Sequence, residues 1–370
     1  MTISSPELFH QKISQCLCPP GNGVFTVNTA KERKEKLHQA LYGQTEDINT
    51  VWLNSLDQLN EASAAVILGI ASDCGGGILR GANWGPLFVR STLLANHPEL
   101  NTFDLGDIRV IPHLLADKYL NDKTITNCRK ALYQNDQSHY AVSPLTITED
   151  VLHDFYATYP EKGIFGIGGD HSISYPLTKA YLQAKKKQGK RAAIIHFDAH
   201  TDLLVERLGI DLCFGSWCTH ILDDLHEKHH LIQVGIRSSG KPKSHWEGTF
   251  GVKQHWAREV KENGVQSIID TIHSQLANEN IDELYVSFDI DALDDSFAAA
   301  TGTPEPDGLS PDEALAILTS LANKYPITGA DMMEIAPFTD STGQGVSASE
   351  KTLKVGAEIS AFLLAEMAKN

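Results

Sequence analysis

Long apolar runs are missing from this sequence of 370 residues. None approaches the roughly 20 residues a membrane-crossing helix needs, which excludes a spanning protein. The opening MTISSPELFHQK has neither the basic stretch nor the apolar core of a secretory signal. Positive charge is scarce: Lys+Arg 31 against Asp+Glu 47 gives a formal net charge of −16, the wrong sign for a nucleic-acid partner. Cysteine is sparse too, with six residues at 16, 18, 74, 128, 213 and 218 and no CxxC pair. That pattern fits neither a disulfide scaffold nor a structural zinc knuckle. The absences together predict a reduced, cytoplasmic protein with no membrane or nucleic-acid partner. No Pro- or Ser-rich linker, repeat or low-complexity tract divides the chain. One domain over residues 61–370 is expected, preceded by a polar, locally helical extension over 1–60.

From residue 64 a regular alternation begins. Short apolar runs rich in β-branched residues (AVILGIAS, GIFGIGGD, RAAIIHFDAH, LIQVGIRSS, ELYVSFDIDAL, ITGADMMEIAP) are separated by helix-like stretches such as SYPLTKAYLQAKKK and SPDEALAILTSLANK. Continuous apolar strands alternating with helices predict an α/β fold, a mostly parallel sheet covered on both faces. Six strands are clear and two weaker ones lie near 102–105 and 252–256, about eight in all.

The ends of these strands carry one kind of chemistry. GIFGIG runs into Gly168-Gly169-Asp170-His171-Ser172, AAIIHF into Asp198-Ala199-His200-Thr201-Asp202, LYVSF into Asp289-Ile290-Asp291, and ITGADMM into Glu334. In a parallel sheet the carboxyl ends share one edge, where ligands bind. Residues two apart in an extended strand face the same side, so Asp198, His200 and Asp202, and likewise Asp289 and Asp291, are expected to point together. Four clustered aspartates repel unless cations compensate. Two divalent ions would balance them, with His171 and His200 completing the donor set. Mixed carboxylate and imidazole donors suit Mn(II) and its first-row neighbours, Ni(II) among them.

These residues resemble the ureohydrolase family, which includes arginases, agmatinases, guanidinobutyrases, formimidoylglutamases and guanidine hydrolases. The resemblance is carried by GGDHS at 168–172, DAHTD at 198–202, SFDIDALD at 287–294, TGTPEPDGLS at 301–310 and ADMMEIAP at 330–337, with GANWGP at 81–86 and Arg90. It covers about residues 64–368. It implies a three-layer α/β/α domain, two Mn(II) ions and a homo-oligomer, trimer or hexamer. One ion would take His171, Asp198, Asp202 and Asp289, the other Asp198, His200, Asp289 and Asp291. Glu334 would pair with the guanidinium of a small cationic substrate, Asp202 would orient the attacking hydroxide, and His220 would shuttle a proton to the leaving nitrogen.

The chain departs from the family in two places. Residues 203–220 form a longer segment than usual, with Ile221 where relatives carry the glycine of a His-Gly pair, and residues 298–300 are Ala-Ala-Ala where Ala-Pro-Gly is common. No arginase-like segment for an α-amino acid head is recognisable. Phe214 and Trp217 would line the substrate pocket as an apolar wall, favouring guanidine or a short, agmatine-like guanidino compound over L-arginine. Arginase activity, formimidoylglutamase activity and a catalytically silent metal-binding relative are the alternatives. His196 is expected to pack beneath the site, and His226, His229 and His230 to be solvated.

Overall fold

A computed structural model describes residues 5–23, 30–77, 79–339 and 346–370. Nine strands form one sheet: β1 Leu17–Cys18, β2 Ala65–Gly69, β3 Phe103–Ile108, β4 Gly163–Ile167, β5 Ala192–Phe197, β6 Leu231–Ile236, β7 Lys253–Trp256, β8 Glu283–Asp289 and β9 Ile327–Met333. Their order is β1-β3-β2-β4-β9-β8-β5-β6-β7. Every pairing is parallel except β1 with β3. The eight parallel strands coincide with the six apolar runs and the two weaker stretches of the sequence. The ninth, two residues long, is too short to leave a periodic signal.

Alternation along each strand divides the core. Ala193, Ile195, Phe197, Val286 and Phe288 pack with helices Val265–Ala277, Pro311–Ala322 and Val346–Met367. Ile164, Ile194 and Tyr285 pack with helices Pro6–Cys16, Pro144–Thr158 and Ser174–Lys187 on the other face. Two covered faces make the three-layer α/β/α arrangement. No described helix is long and apolar enough to cross a membrane.

The described residues before position 60 join this body closely. Phe9, Ile13, Leu17, Trp52 and Leu56 are buried in the core of the second face. Trp52 Nε1 donates to the Leu105 carbonyl at 3.1 Å. Gly106 makes room for it, since a Cβ there would sit 3.0 Å from the indole nitrogen. Arg90 is buried, donates to both Asp104 oxygens at 2.8 and 3.0 Å, and also pairs with Asp107. It ties helix Gly85–Asn96 to β3.

Chain order explains where a site can form. The chain passes from β4 to β5 without pairing them, and β8 and β9 later fill the gap, so β4, β9, β8 and β5 lie side by side at the centre. Such a change of direction leaves a crevice at the carboxyl ends of the strands. The packing of the N-terminal segment gives a direct prediction. Trp52→Ala should lower unfolding free energy by about 3–5 kcal/mol, as for other buried aromatic truncations, measured by urea denaturation. A change below about 0.5 kcal/mol would show that residues 1–60 are an appendage.

Candidate metal centre and active site

All the acidic and histidine residues singled out at strand ends converge over these four strands. After β4, Gly168 and Gly169 let the backbone pass where side chains have no room: a Cβ on Gly169 would fall 1.5 Å from the Ser72 carbonyl. Asp170, Asp198 and Asp289 then each accept a hydrogen bond from the amide two residues on, at 3.0 Å from Ser172, 2.6 Å from His200 and 2.8 Å from Asp291. Such Asx turns reverse the chain immediately after the strand. The expectation that strand pleat aligns Asp198 with Asp202 and Asp289 with Asp291 is therefore corrected. Strand geometry ends at Phe197 and Asp289, and tight turns bring the carboxylates together. Asp202 and Glu334 adopt left-handed backbone (φ 50° and 64°), a strained conformation for such residues that concentrates at functional sites.

His171 Nδ1 lies 3.1 Å from Asp198 Oδ2, 3.2 Å from Asp202 Oδ2 and 3.0 Å from Asp289 Oδ2. None of the three has hydrogen-bond geometry, so the buried nitrogen is unpartnered. Its other nitrogen, Nε2, meets Ser287 Oγ at 3.1 Å, and Ser287 donates onward to Asp331 Oδ1 at 2.9 Å. The proton therefore belongs on Nε2, and Nδ1 presents a lone pair to three carboxylate oxygens. A divalent cation resolves that arrangement. His200 repeats it, with Nδ1 3.1 Å from Asp291 Oδ2 and 3.4 Å from Asp198 Oδ1, and Nε2 turned to Glu305 at 3.5 Å. A ligating imidazole backed through its second nitrogen by a carboxylate or hydroxyl is the usual support of a metal site. Two groups able to hold an ion, His171/His196/Asp198/Asp202 and Asp198/His200/Asp291, share Asp198.

His196 belongs to the first group by distance, but its hydrogen bonds give it another part. Trp256 Nε1 donates to Gln254 Oε1 (2.9 Å), Gln254 Nε2 to Gln233 Oε1 (2.8 Å), and Gln233 Nε2 to both the Thr201 carbonyl (2.6 Å) and His196 Nδ1 (2.9 Å). The indole can only donate, so each direction along the row is fixed. His196 Nε2 must carry its proton and give it to Asp198 Oδ2 at 2.9 Å. These residues are neighbours in register: Gln254 opposite Gln233, Gln233 opposite His196, His196 opposite Ser287, and Ser287 opposite Asp331. A polar row thus crosses five strands one level below the ligands. Sequence reasoning missed Gln233, Gln254, Ser287 and Asp331; the available signal was a polar residue at the same level of several apolar strands.

Trp217 is corrected from pocket wall to ligand support. It is fully buried (0% exposed), lies against His171 and His196 with ring centroids 5.1 Å away, and donates its indole N–H to Asp202 Oδ2 at 2.8 Å. His220 is not brought into the cluster. Its Nε2 meets the Asp211 carbonyl at 2.9 Å and its ring packs edge-on to Tyr175, behind the turn Trp217–His220. The residues of segment 203–220 that reach the cleft are Leu204, Arg207, Phe214 and Gly215, beside His200, Asp202 and Ser238, around about 190 Å³. The Phe214 ring, not the His220 imidazole, therefore faces the cleft. An adjoining cleft of about 470 Å³ shares Arg207 and Phe214 and adds Arg80, His113 and Tyr119.

Glu334 Oε1 accepts the His171 amide at 2.9 Å. Burial, with Asp289 and Asp170 nearby, raises its pKa well above the ordinary carboxylate range. Burial and Asp291 do the same to Asp289, and burial and Asp198 to Asp202. Burial also acts on Asp198, but the neighbouring imidazoles of His171, His196 and His200 outweigh it and hold its pKa well below the ordinary carboxylate range. Thr303 donates to Asp291 Oδ2 at 3.0 Å, so the TGTPEPDGLS segment contributes both Thr303 and Glu305 to the outer layer.

An α/β/α sheet with this carboxylate–imidazole edge defines a metal-dependent hydrolase of the ureohydrolase type. The chain belongs to the arginase family, whose sequence pattern matches residues 63–365. It is 28% identical over 297 residues to a human protein named guanidino acid hydrolase, mitochondrial, covering 76% of this chain and 74% of that one. It is 29% identical over 299 residues to the mitochondrial agmatinase of Gallus gallus, covering 76% and 77%. Among solved structures, proclavaminate amidino hydrolase from Streptomyces clavuligerus aligns with a TM-score of 0.61 at 27% identity, over 83% of this chain and 93% of that one.

Trp217→Phe tests the support role, because it keeps most of the ring volume and removes the only donor. Metal affinity measured by dialysis against a chelator series should fall about 10–100-fold, as for other residues that hold a ligand in place. Unchanged affinity would return the tryptophan to ordinary core packing.

Proposed function

We propose that this protein hydrolyses a guanidino C–N bond and releases urea, using two divalent ions held by His171, Asp198, Asp202 and Asp289 and by Asp198, His200, Asp289 and Asp291. The observation that carries this reading is the unpartnered His171 Nδ1 within 3.0–3.2 Å of three carboxylate oxygens. When bound, such a pair supplies a water acidic enough to attack at neutral pH. The donor set suits Mn(II), with Ni(II) the other candidate.

The remaining work falls to side chains. Glu334, once opposite a guanidinium, is driven to its ionised form and orients the planar carbon toward the metal edge. Asp202 Oδ2 is occupied by Trp217 while Oδ1 takes no hydrogen bond among the described residues. That leaves Oδ1 placed to accept the proton of the attacking water and pass it to the leaving nitrogen. His220, with its ring turned to Asp211 and Tyr175, has no part in that transfer.

Substrate size follows from Phe214 and charge from the arginines. The cleft beside His200 and Asp202 is small, about 190 Å³. Arg80 and Arg207 line the cavity next to it, with Arg207 held over the Phe214 ring at 4.9 Å. A second ammonium would be repelled there, whereas no tail, or a short anionic one, is accommodated. We therefore favour guanidine or a short ω-guanidino acid over agmatine and L-arginine. All six cysteines are free, in keeping with a reducing compartment such as the cytoplasm. A homo-oligomer is part of the proposal, and Phe338, 60% exposed beside Trp84 and Phe88, is a candidate for its interface.

A urea-release panel with Mn(II) or Ni(II) tests the reading. Guanidine or a short guanidino acid should exceed agmatine and L-arginine in kcat/KM by about tenfold or more, and His220→Asn should stay within about threefold of wild type. Agmatine as best substrate would refute the charge argument. Formamide from a formimidoyl compound, or no product at all, would refute the reaction.

A further inference from the structure

A second cluster of imidazoles and carboxylate lies at the opposite end of the sheet. The turn Lys228–His230 precedes β6, and Glu279 lies between helix Val265–Ala277 and β8. The catalytic residues follow the other ends of strands, and six residues of β6 span about 20 Å at roughly 3.3 Å each. The two clusters are therefore separate.

His229 Nε2 lies 3.1 Å from Glu279 Oε1, and His230 Nε2 lies 3.4 Å from Glu279 Oε2, so each imidazole faces one oxygen of the same carboxylate. The three donor atoms lie within 4.8 Å of one another. Two details separate this from a surface ion pair. His229 Nε2 is buried and, like His171 Nδ1, has no hydrogen bond in spite of the nearby oxygen. His230 is only 1% exposed, its Nε2 meets Glu279 Oε2, and its Nδ1 is likewise unpartnered. Among the described residues no lysine or arginine pairs with that carboxylate: Arg191 donates to the Glu279 carbonyl at 3.2 Å, and Lys228 turns to Asp223 at 3.3 Å. His226 stands beside the cluster, its ring stacked on His230 at 6.1 Å.

We propose that His229, His230 and Glu279 form a further divalent-cation site, distinct from the catalytic pair and selective for imidazole-seeking ions such as Zn(II) or Ni(II). Two nitrogen donors and one carboxylate favour these ions over Mg(II) or Ca(II), which require mainly oxygen. Three protein ligands leave the remaining positions of a tetrahedral ion to solvent.

Manganese-loaded enzyme, dialysed against Zn(II) and analysed for both metals, provides the test. Wild type should take up one Zn(II) per chain more than either Glu279→Gln or His229→Ala, both partly exposed positions that the fold tolerates. Both variants should keep the wild-type manganese content and rate of urea release, which separates this site from the catalytic one. X-ray absorption of the bound zinc should show two imidazoles. Equal zinc uptake in all three proteins would overturn the proposal, as would loss of manganese together with the zinc.

Discussion

Four aspartates buried at one edge of the sheet, with no lysine or arginine paired to any of them among the described residues, impose the constraint on which the rest of this structure depends. Two like charges about 4 Å apart repel by about 4 kcal/mol at an effective dielectric constant of about 20. Several such pairs rival the whole stability of a domain, about 5–15 kcal/mol. Protons relieve part of the load, which is why Asp289, Asp202 and Glu334 all hold them more tightly than usual. Cations relieve it fully, and the same repulsion that destabilises the empty edge becomes affinity for them.

The surrounding architecture keeps that edge rigid. The polar row from Trp256 to His196 fixes which proton Asp198 receives, and Ser287 with Asp331 fixes the tautomer of His171. Arg237, following β6, donates to the carbonyls of Gly235, Asp291, Ala292, Leu293, Glu305 and Pro306. One guanidinium thereby binds the turn after β8 to the segment that supplies Thr303 and Glu305. Gly308 leaves space for it, since a Cβ there would lie 2.6 Å from Arg237 Nη2. With ligands immobilised in this way, ion binding needs little rearrangement, and the variable segment 203–220 is left to shape the cleft through Arg207, Phe214 and Gly215.

The parallel sheet and the clustering of acidic and histidine residues at its edge were legible in the sequence because both leave periodic marks: apolar runs of strand length, four of them ending in aspartate, histidine or glutamate. What periodicity does not encode is how a chain turns after the strand. The Asx turns at Asp170, Asp198 and Asp289 were therefore read as continued pleat. Trp217 and Phe214 stand three residues apart in one apolar-looking segment, and only packing shows that one is sealed against His171 while the other faces the cleft. His220 was placed by a family pattern whose glycine is missing here. The Phe-Gly pair at 214–215, which does reach the cleft, was the signal that could have corrected it. The docking of residues 1–60 escaped because Phe9, Ile13 and Trp52 sit in polar surroundings, where isolated apolar residues say little about burial.

Anomalous diffraction from crystals grown with Mn(II) tests the central claim most directly. Two peaks are predicted about 3.5–4 Å apart, the spacing of two-metal sites, with Asp198 and Asp289 between them, His171 on one ion and His200 on the other. A single peak, or two peaks without a shared carboxylate, would contradict the account of how this buried charge is balanced.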